Sequence, residues 1–242
     1  MLLKPSKYFI LQVLKKQIAD NNQPISILEL GAGKADLIAD LLQAFPNINY
    51  TGIEPDPGTS AYAKQRLAGF PNAQIINKLA YNSQSPITEE SRFDLVISLS
   101  VLEHVKDLDS FFDFSAKHTK SGGYNIHLYD LGHSLYPSSI KERIQVALCN
   151  SFVRQYLPED KIASYVSLDD VKSKLHNRGF TVEKVTYHNM PGNVSLLKKT
   201  DNLDQLQTIA SLEPTLAEKL SDGLVKEKLF PSICVWANKT NL

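Results

Sequence analysis

A doubly wound α/β fold, with a mostly parallel sheet covered by helices on both faces, is what this 242-residue sequence predicts. Three observations carry the prediction. Strand-like apolar runs alternate with amphipathic helical segments through residues 6–130, a succession that implies right-handed crossovers between parallel strands. The stretch "SILELGAGKADL" (26–37) reads as a strand that runs through a glycine turn into a helix. Near the C-terminus two more strand-like runs, separated by a long excursion, have the pattern of an antiparallel edge hairpin.

The elements follow in order. Phe9, Ile10, Val13, Leu14 and Ile18 recur near helical spacing, which predicts a helix over 6–20. "ISILEL" (25–30), bounded by Pro24 and Gly31, is a strand buried on both faces. Leu37, Ile38, Leu41, Leu42 and Phe45 make the next helix, stopped by Pro46. "INYTGIE" (48–54) is the second strand; Asp56 caps a helix with Pro57 as its first residue and Gly69 at its end. "AQIIN" (73–77) and "FDLVISLS" (93–100) are the third and fourth strands. Asp107 caps a helix that carries Leu108, Phe111 and Phe112, with Gly122 and Gly123 as its stop, and "YNIHLYD" (124–130) is the fifth strand.

Residues 131–165 show no clear strand. Ser167 caps a helix that ends at Gly179, followed by strand 180–188. Residues 194–228 read as helical pieces interrupted by Pro214 and Gly223, and a last strand occupies 229–240. We expect a single domain over 1–242, with an N-terminal helix in 1–22 and lid-like insertions at 131–165 and 190–228. Ligands of such sheets sit at the carboxyl ends of the strands. The turns after Leu30, Glu54, Asn77, Ser100 and Asp130 are therefore expected to line one cleft.

Composition narrows the function classes. Lys and Arg number 26, as do Asp and Glu, so no net charge draws the protein to nucleic acid or an anionic membrane. Two cysteines, Cys149 and Cys234, make neither a disulfide scaffold nor a zinc site. The start is too broken by lysine and proline for a signal peptide, and no apolar run reaches membrane-spanning length. A cytoplasmic protein is expected, with oligomer formation open.

The glycine turn selects among nucleotide-like ligands. A dinucleotide turn carries G-x-G-x-x-G. Here Gly31 and Gly33 are followed by Ala35 and by Asp36, whose carboxylate opposes a pyrophosphate at the helix start. An adenosine ligand without phosphate fits better. Glu29, just before the turn, is placed to hold a cationic amino group. Glu54, at the end of the second strand, stands where an acid accepts bonds from ribose hydroxyls. These features suit S-adenosyl-L-methionine.

"ILELGAGKADL", "GIEPDP", "FDLVISLSVLEHVKDLDSFF" and "SGGYNIHLYD" resemble, in order, the motifs of class I S-adenosylmethionine-dependent methyltransferases. The resemblance covers residues 24–130, with weaker agreement at "LHNRGFTVEKV". It implies a Rossmann-like sheet of seven strands, the last antiparallel. It also implies that Gly31, Ala32 and Gly33 approach the cofactor, that Glu54 and the adjoining Pro55 meet its ribose, and that Ser98, Leu99 and Ser100 border its methionine end. Where many relatives carry an acid after the third strand, this chain has "INKLAYNS". Adenine recognition then falls to backbone near Leu79 and Ala80, or to Asn77 or Asn82.

The acceptor is read from two segments. In "VLEHVKD", Glu103 and His104 are expected at the cleft rim, where His104 either touches cofactor or substrate or orients the loop before Asp107. "HLYDLGH" resembles a segment of sugar-directed bacterial methyltransferases. Asp130 or His133 is a candidate base for an acceptor hydroxyl, or else the pair fastens the start of the next segment. Strand alternation puts His127 and Asp130 on opposite faces, which argues against a metal site. In residues 134–165 Tyr136, Arg143, Arg154 and Tyr156 are expected to cover the acceptor side, with Ile144, Val146, Leu148 and Phe152 packed inward. The expectation is methyl transfer to a small-molecule or sugar-like acceptor, oxygen favoured. An RNA or protein methyltransferase and a non-catalytic cofactor-binding regulator are the alternatives.

Overall fold

The computed structural model describes residues 3–20, 23–81, 87–137, 139–149, 151, 156–157, 162–200 and 202–240. One sheet of seven strands organises them, in the order β3-β2-β1-β4-β5-β7-β6. β1 (Ile25–Leu30), β2 (Ile48–Ile53), β3 (Ala73–Ile76), β4 (Phe93–Leu99) and β5 (Thr119–Asp130) run parallel. β7 (Ser232–Lys239) lies antiparallel between β5 and β6 (Phe180–His188). The order reverses at β1, so β1 and β4 diverge at their carboxyl ends and open a crevice there.

α1 (Pro5–Ala19), α2 (Asp36–Ala44) and α3 (Pro57–Leu67) cover one face, with Ile10, Leu14, Ile38 and Leu41 fully buried against Ile27 and Ile97. α4 (Leu108–Lys117) and α7 (Leu168–His176) cover the other through Phe111, Phe112, Val171 and Leu175. The expected caps form at Asp56, whose side chain accepts from Thr59 N at 2.7 Å, and at Asp107, which accepts from Ser110 N at 3.0 Å. Ser167 occupies the N-cap of α7 but makes no side-chain cap bond.

Several boundaries differ from expectation. α4 ends at Lys117, before Gly122 and Gly123, which lie inside a longer β5. β5 pairs Thr119 with Phe93 and Tyr124 with Leu95, so four residues bulge opposite Asp94. Gly122 takes φ +74°, and a Cβ on Gly123 would stand 2.9 Å from the Asp94 carbonyl oxygen. The glycines turn a strand, not a helix end. Pro214 does not break its helix: it lies in the last turn of α9 (Leu203–Ala217), after the segment is fixed by buried Leu206 and Ala210. Gly223 does interrupt, as N-cap of α10 (Leu224–Leu229).

After β5 come α5 (Gly132–Leu135) and α6 (Ile140–Cys149), and after β6 comes α8 (Pro191–Thr200). The inward packing expected of α6 is found only in part: Val146 is half-buried, Ile144 and Leu148 are exposed, and Cys149 is its one buried side chain among those described. Phe152 and Arg154 fall outside the described residues. Among the described residues no helix is long and apolar enough to cross a membrane.

Candidate active site

At the carboxyl ends of β1, β2, β3 and β4 lies a cavity of about 740 Å³. Four of the five expected turns line it. The fifth, after Asp130, does not.

The glycine turn forms the floor. Gly31 sits at φ +75° and Gly33 at φ +56°, conformations that side chains resist. Both β2 and β4 press on the turn. Gly31 N and Ala32 N donate to the Ile53 carbonyl at 2.8 and 3.0 Å. A Cβ on Gly31 would stand 2.5 Å from Cγ2 of Val101. At Gly33 a Cβ would meet no protein atom within 4 Å, so the missing side chain leaves cavity space open. Ala35 follows at φ +56°, buried as the N-cap of α2, at a cost of about 1 kcal/mol. Gly31→Ala is expected to destabilise the fold by roughly 2–3 kcal/mol through strain and overpacking. Thermal unfolding then shifts down by roughly 5–10 °C; an unchanged midpoint would show that Val101 moves freely.

Glu54 is buried and already half used. Its Oε2 accepts from Gly33 N and its Oε1 from Asp56 N, both at 2.9 Å. A carboxylate offers about four acceptor positions, so two remain for ligand hydroxyls. The Asn77 amide donates to the Glu54 and Pro55 carbonyls at 2.8 and 3.0 Å. It therefore fixes the β2–α3 turn and does not line the cavity. Leu79, Ala80 and Tyr81 line it on that side. Asn82 lies outside the described residues.

Glu29 also lines the cavity, accepting from the Tyr50 hydroxyl at 2.7 Å. Burial pushes its carboxyl up to about 7, against the Tyr50 bond and the charge of Lys7. Asp36 is paired with Arg66 instead of facing a ligand alone.

Leu99 and Ser100 line the cavity, Ser100 at φ +64°. Ser98 does not, contrary to expectation. Strand alternation turns it to the opposite face, where its Oγ lies 2.8 Å from Nδ1 of His127. Both side chains are fully buried, the His127 ring stands 5.2 Å from that of Phe112, and burial pushes the imidazole down to about 3. Ser98 and His127 are a packed polar pair under the site.

Glu103 is likewise not at the rim. It is buried on the short 3-10 turn Leu102–His104, its Oε1 accepts from Asp130 N at 3.2 Å, and burial pushes its carboxyl up to about 8. The next residue, His104, lines the cavity. Its Nδ1 lies 2.7 Å from the Ile162 carbonyl oxygen. A carbonyl only accepts, so Nδ1 carries the proton and Nε2 of the neutral ring has the free lone pair.

Asp130 lines a second cavity of about 730 Å³ with Lys4, Tyr136 and Met190, not the first. Its carboxylate accepts from Lys4 Nζ at 3.2 Å and from Gly132 N at 2.7 Å. It fastens the start of α5 and the N-terminal segment. His133 is exposed and lines neither cavity, with its ring centroid 5.9 Å from that of His104. Tyr136 donates to the Lys228 carbonyl at 2.8 Å, and Arg143 and Tyr156 are exposed. Among the described residues no group of three or more His, Cys, Asp or Glu is placed to hold a metal ion.

Leu3 and Lys7 of the N-terminal segment line the first cavity. Sequence reading did not single out Lys7. A lysine in an amphipathic helix carries no local sign of what it faces.

Residues 4–185 match the family model described as a methyltransferase domain. The chain belongs to this family. A tRNA (guanine-N(7)-)-methyltransferase of Geobacillus sp. (strain WCH70) is 38% identical over 63 residues, which span 25% of this chain and 28% of that relative. Among solved structures, a putative sarcosine dimethylglycine methyltransferase from Galdieria sulphuraria is similar with TM-score 0.62 at 14% identity, over 96% of this chain and 85% of that one. Geranyl diphosphate C-methyltransferase from Streptomyces coelicolor A3(2) is similar with TM-score 0.60 at 9% identity, over 95% of this chain and 79% of that one. At these identities the structures share the fold.

The methyl donor of this methyltransferase is S-adenosyl-L-methionine. The residues present fit it. Gly33 leaves room at the turn, Glu54 has two acceptor positions to spare, and buried Glu29 offers a carboxylate to an ammonium. Bound there, the donor supplies a methyl group already activated by its sulfonium.

Proposed function

We propose that this methyltransferase methylates a hydroxyl of a small-molecule or sugar-like acceptor, with His104 as the general base. The observation that carries the reading is the imidazole on the cavity wall with its tautomer set by Ile162. A base matters for a hydroxyl acceptor and is dispensable for a neutral amine or thiol. Tyr81, Val101, Val105 and Phe111 wall the cavity with apolar surface, and Leu3 of the N-terminal segment adds to it. Such walls exclude water and hold an acceptor in line with the methyl group. Asp130 and His133, read from sequence as candidate bases, act here as positioning residues: Asp130 holds Gly132, and His133 stands beside the His104 ring.

A cavity of this size suits a small ligand beside a cofactor. The balance of 26 basic and 26 acidic residues supports a small acceptor over RNA. Cys149 and Cys234 are buried and not joined in a disulfide, which supports a cytoplasmic setting.

A labelled-methyl transfer screen over hydroxylated metabolites, nucleotide sugars, amines and RNA tests the acceptor. Transfer confined to amines, or to RNA, overturns the reading. With an acceptor found, His104→Ala is expected to lower kcat about 10²-fold while leaving donor affinity unchanged. Full turnover in that variant removes His104 as base.

A further inference from the structure

We infer that the second cavity is an anion subsite, which holds a phosphate or carboxylate carried by the acceptor against Lys198 and Lys228. The inference rests on the small-acceptor reading above and adds the charge of that acceptor.

The cavity, of about 730 Å³, lies past the carboxyl end of β5. Three lysines reach it from separate parts of the chain: Lys4 from the N-terminal segment, Lys198 from α8 and Lys228 from α10. Asp130 is the one acid among the described lining residues. Lys4 Nζ and Gly132 N already hold its carboxylate, at 3.2 and 2.7 Å. Two positive charges are left over. Lys226, close to Lys228 in the chain, is paired with Asp222 at 2.9 Å. Lys198 and Lys228 are exposed and have no ion-pair partner within 4 Å among the described residues. In a chain with 26 basic and 26 acidic residues, a cavity with three lysines and one acid is a local departure from balance. Like charges that share one space repel, and an anion between them removes that cost.

The remaining wall suits a carbon skeleton that bears such an anion. Tyr136, Met190, Val194 and Leu229 give it apolar surface. The helices that carry the lysines are held in place. Met190 N and Asn193 Nδ2 donate to Glu213 Oε1 at 3.0 and 2.9 Å, which pins the start of α8. The Tyr136 hydroxyl donates to the Lys228 carbonyl at 2.8 Å, which ties α10 to the end of α5. Binding therefore has only side chains left to order.

The two cavities share a border. Leu3 lines the first and Lys4 the second. His104 lines the first, and its ring stands 5.9 Å from that of His133, whose neighbour Gly132 lines the second. An acceptor with its hydroxyl at His104 carries its charged group across this border.

Met190 supplies the test. The chain has two methionines, Met1 and Met190, so isotope labelling of methionine methyl groups gives the cavity a magnetic-resonance signal of its own. Glucose 1-phosphate, glucuronate and glucose are three sugars that differ in their charged group. One or both of the charged sugars are expected to shift the Met190 signal saturably, and the one that does names the anion. Glucose at the same concentration is expected to leave the signal in place. Lys198→Gln and Lys228→Gln are each expected to weaken the charged sugar about tenfold, the scale of one charge-assisted bond. Lys16→Gln removes the same charge from an exposed position at the far end of α1 and is expected to change nothing. A Met190 signal unmoved by both charged sugars overturns the proposal. So does an equal response to glucose, or equal weakening in Lys16→Gln, which would show bulk charge alone. Calorimetry is expected to find wild-type affinity for S-adenosyl-L-methionine in both cavity variants; a parallel loss would put these lysines in the donor site and also overturn it. A methyl-transfer screen confined to amines sinks the hydroxyl reading and leaves the Met190 titration standing, so the two failures are distinct.

Discussion

Glu54→Ala is expected to lower affinity for S-adenosyl-L-methionine about 10³-fold. Two losses add. The carboxylate holds Gly33 N and Asp56 N, so it shapes the turns on both sides of the ribose position. Its remaining acceptor positions are those left for the ribose hydroxyls. Bonds to a charged acceptor contribute roughly 1.5–3 kcal/mol each, and 1.4 kcal/mol is a factor of ten. Two lost ribose bonds alone reach that range. Glu54→Gln separates the two contributions. Its amide has one oxygen where the carboxylate has two, so one of Gly33 N and Asp56 N must face an NH₂ group. Glutamine is therefore expected to rescue little. Calorimetry on the three proteins decides: near-wild-type affinity in Glu54→Gln would mean that shape, not the carboxylate, holds the donor. Thermal unfolding of the ligand-free variants checks that the fold survives.

The donor half of the site was legible because its physics is local. A β-strand buried on both faces shows as an apolar run, and a turn needing positive φ shows as glycine; "ISILELGAG" carries both signals in nine residues. Glu54 follows from its place at the end of the next strand. The acceptor half depends on what distant segments bring, and there the sequence misled. Asp130 ends its strand as expected, yet Lys4, 126 positions away, captures its carboxylate on the other side of the N-terminal segment. In the donor half, Ser98 was assigned to the methionine end from the family resemblance, although adjacent strand residues face opposite ways. Gly122 and Gly123 read as a helix stop because a bulge uses glycine for the same conformational reason.

Replacing Glu103 with glutamine is expected to stabilise the protein in alkaline solution by about 4 kcal/mol and leave it little changed near pH 5. Burial is the first cause of the raised carboxyl, and the charge of Asp130 adds to it. The folded value of about 8 lies above the ordinary 4.5, so the folded state favours the neutral acid. Its contribution is complete below about pH 4.5 and is lost as the pH rises through about 8. Each pH unit in that window costs about 1.4 kcal/mol, because the unfolded chain ionises freely while the folded one resists. Glutamine has nearly the same shape and no proton to lose. Melting temperatures of the two proteins should therefore diverge between pH 5 and 9, with the variant higher by roughly 8–16 °C at the alkaline end. Parallel curves would show that Glu103 is ionised throughout. The site has a stake in the result. Glu103 precedes His104 on one 3-10 turn and receives Asp130 N from the next strand. An ionised Glu103 pushes against the Asp130 carboxylate across that contact and strains the turn that presents His104. Turnover in the wild type is accordingly expected to fall above about pH 8, and Glu103→Gln to carry activity further into alkali.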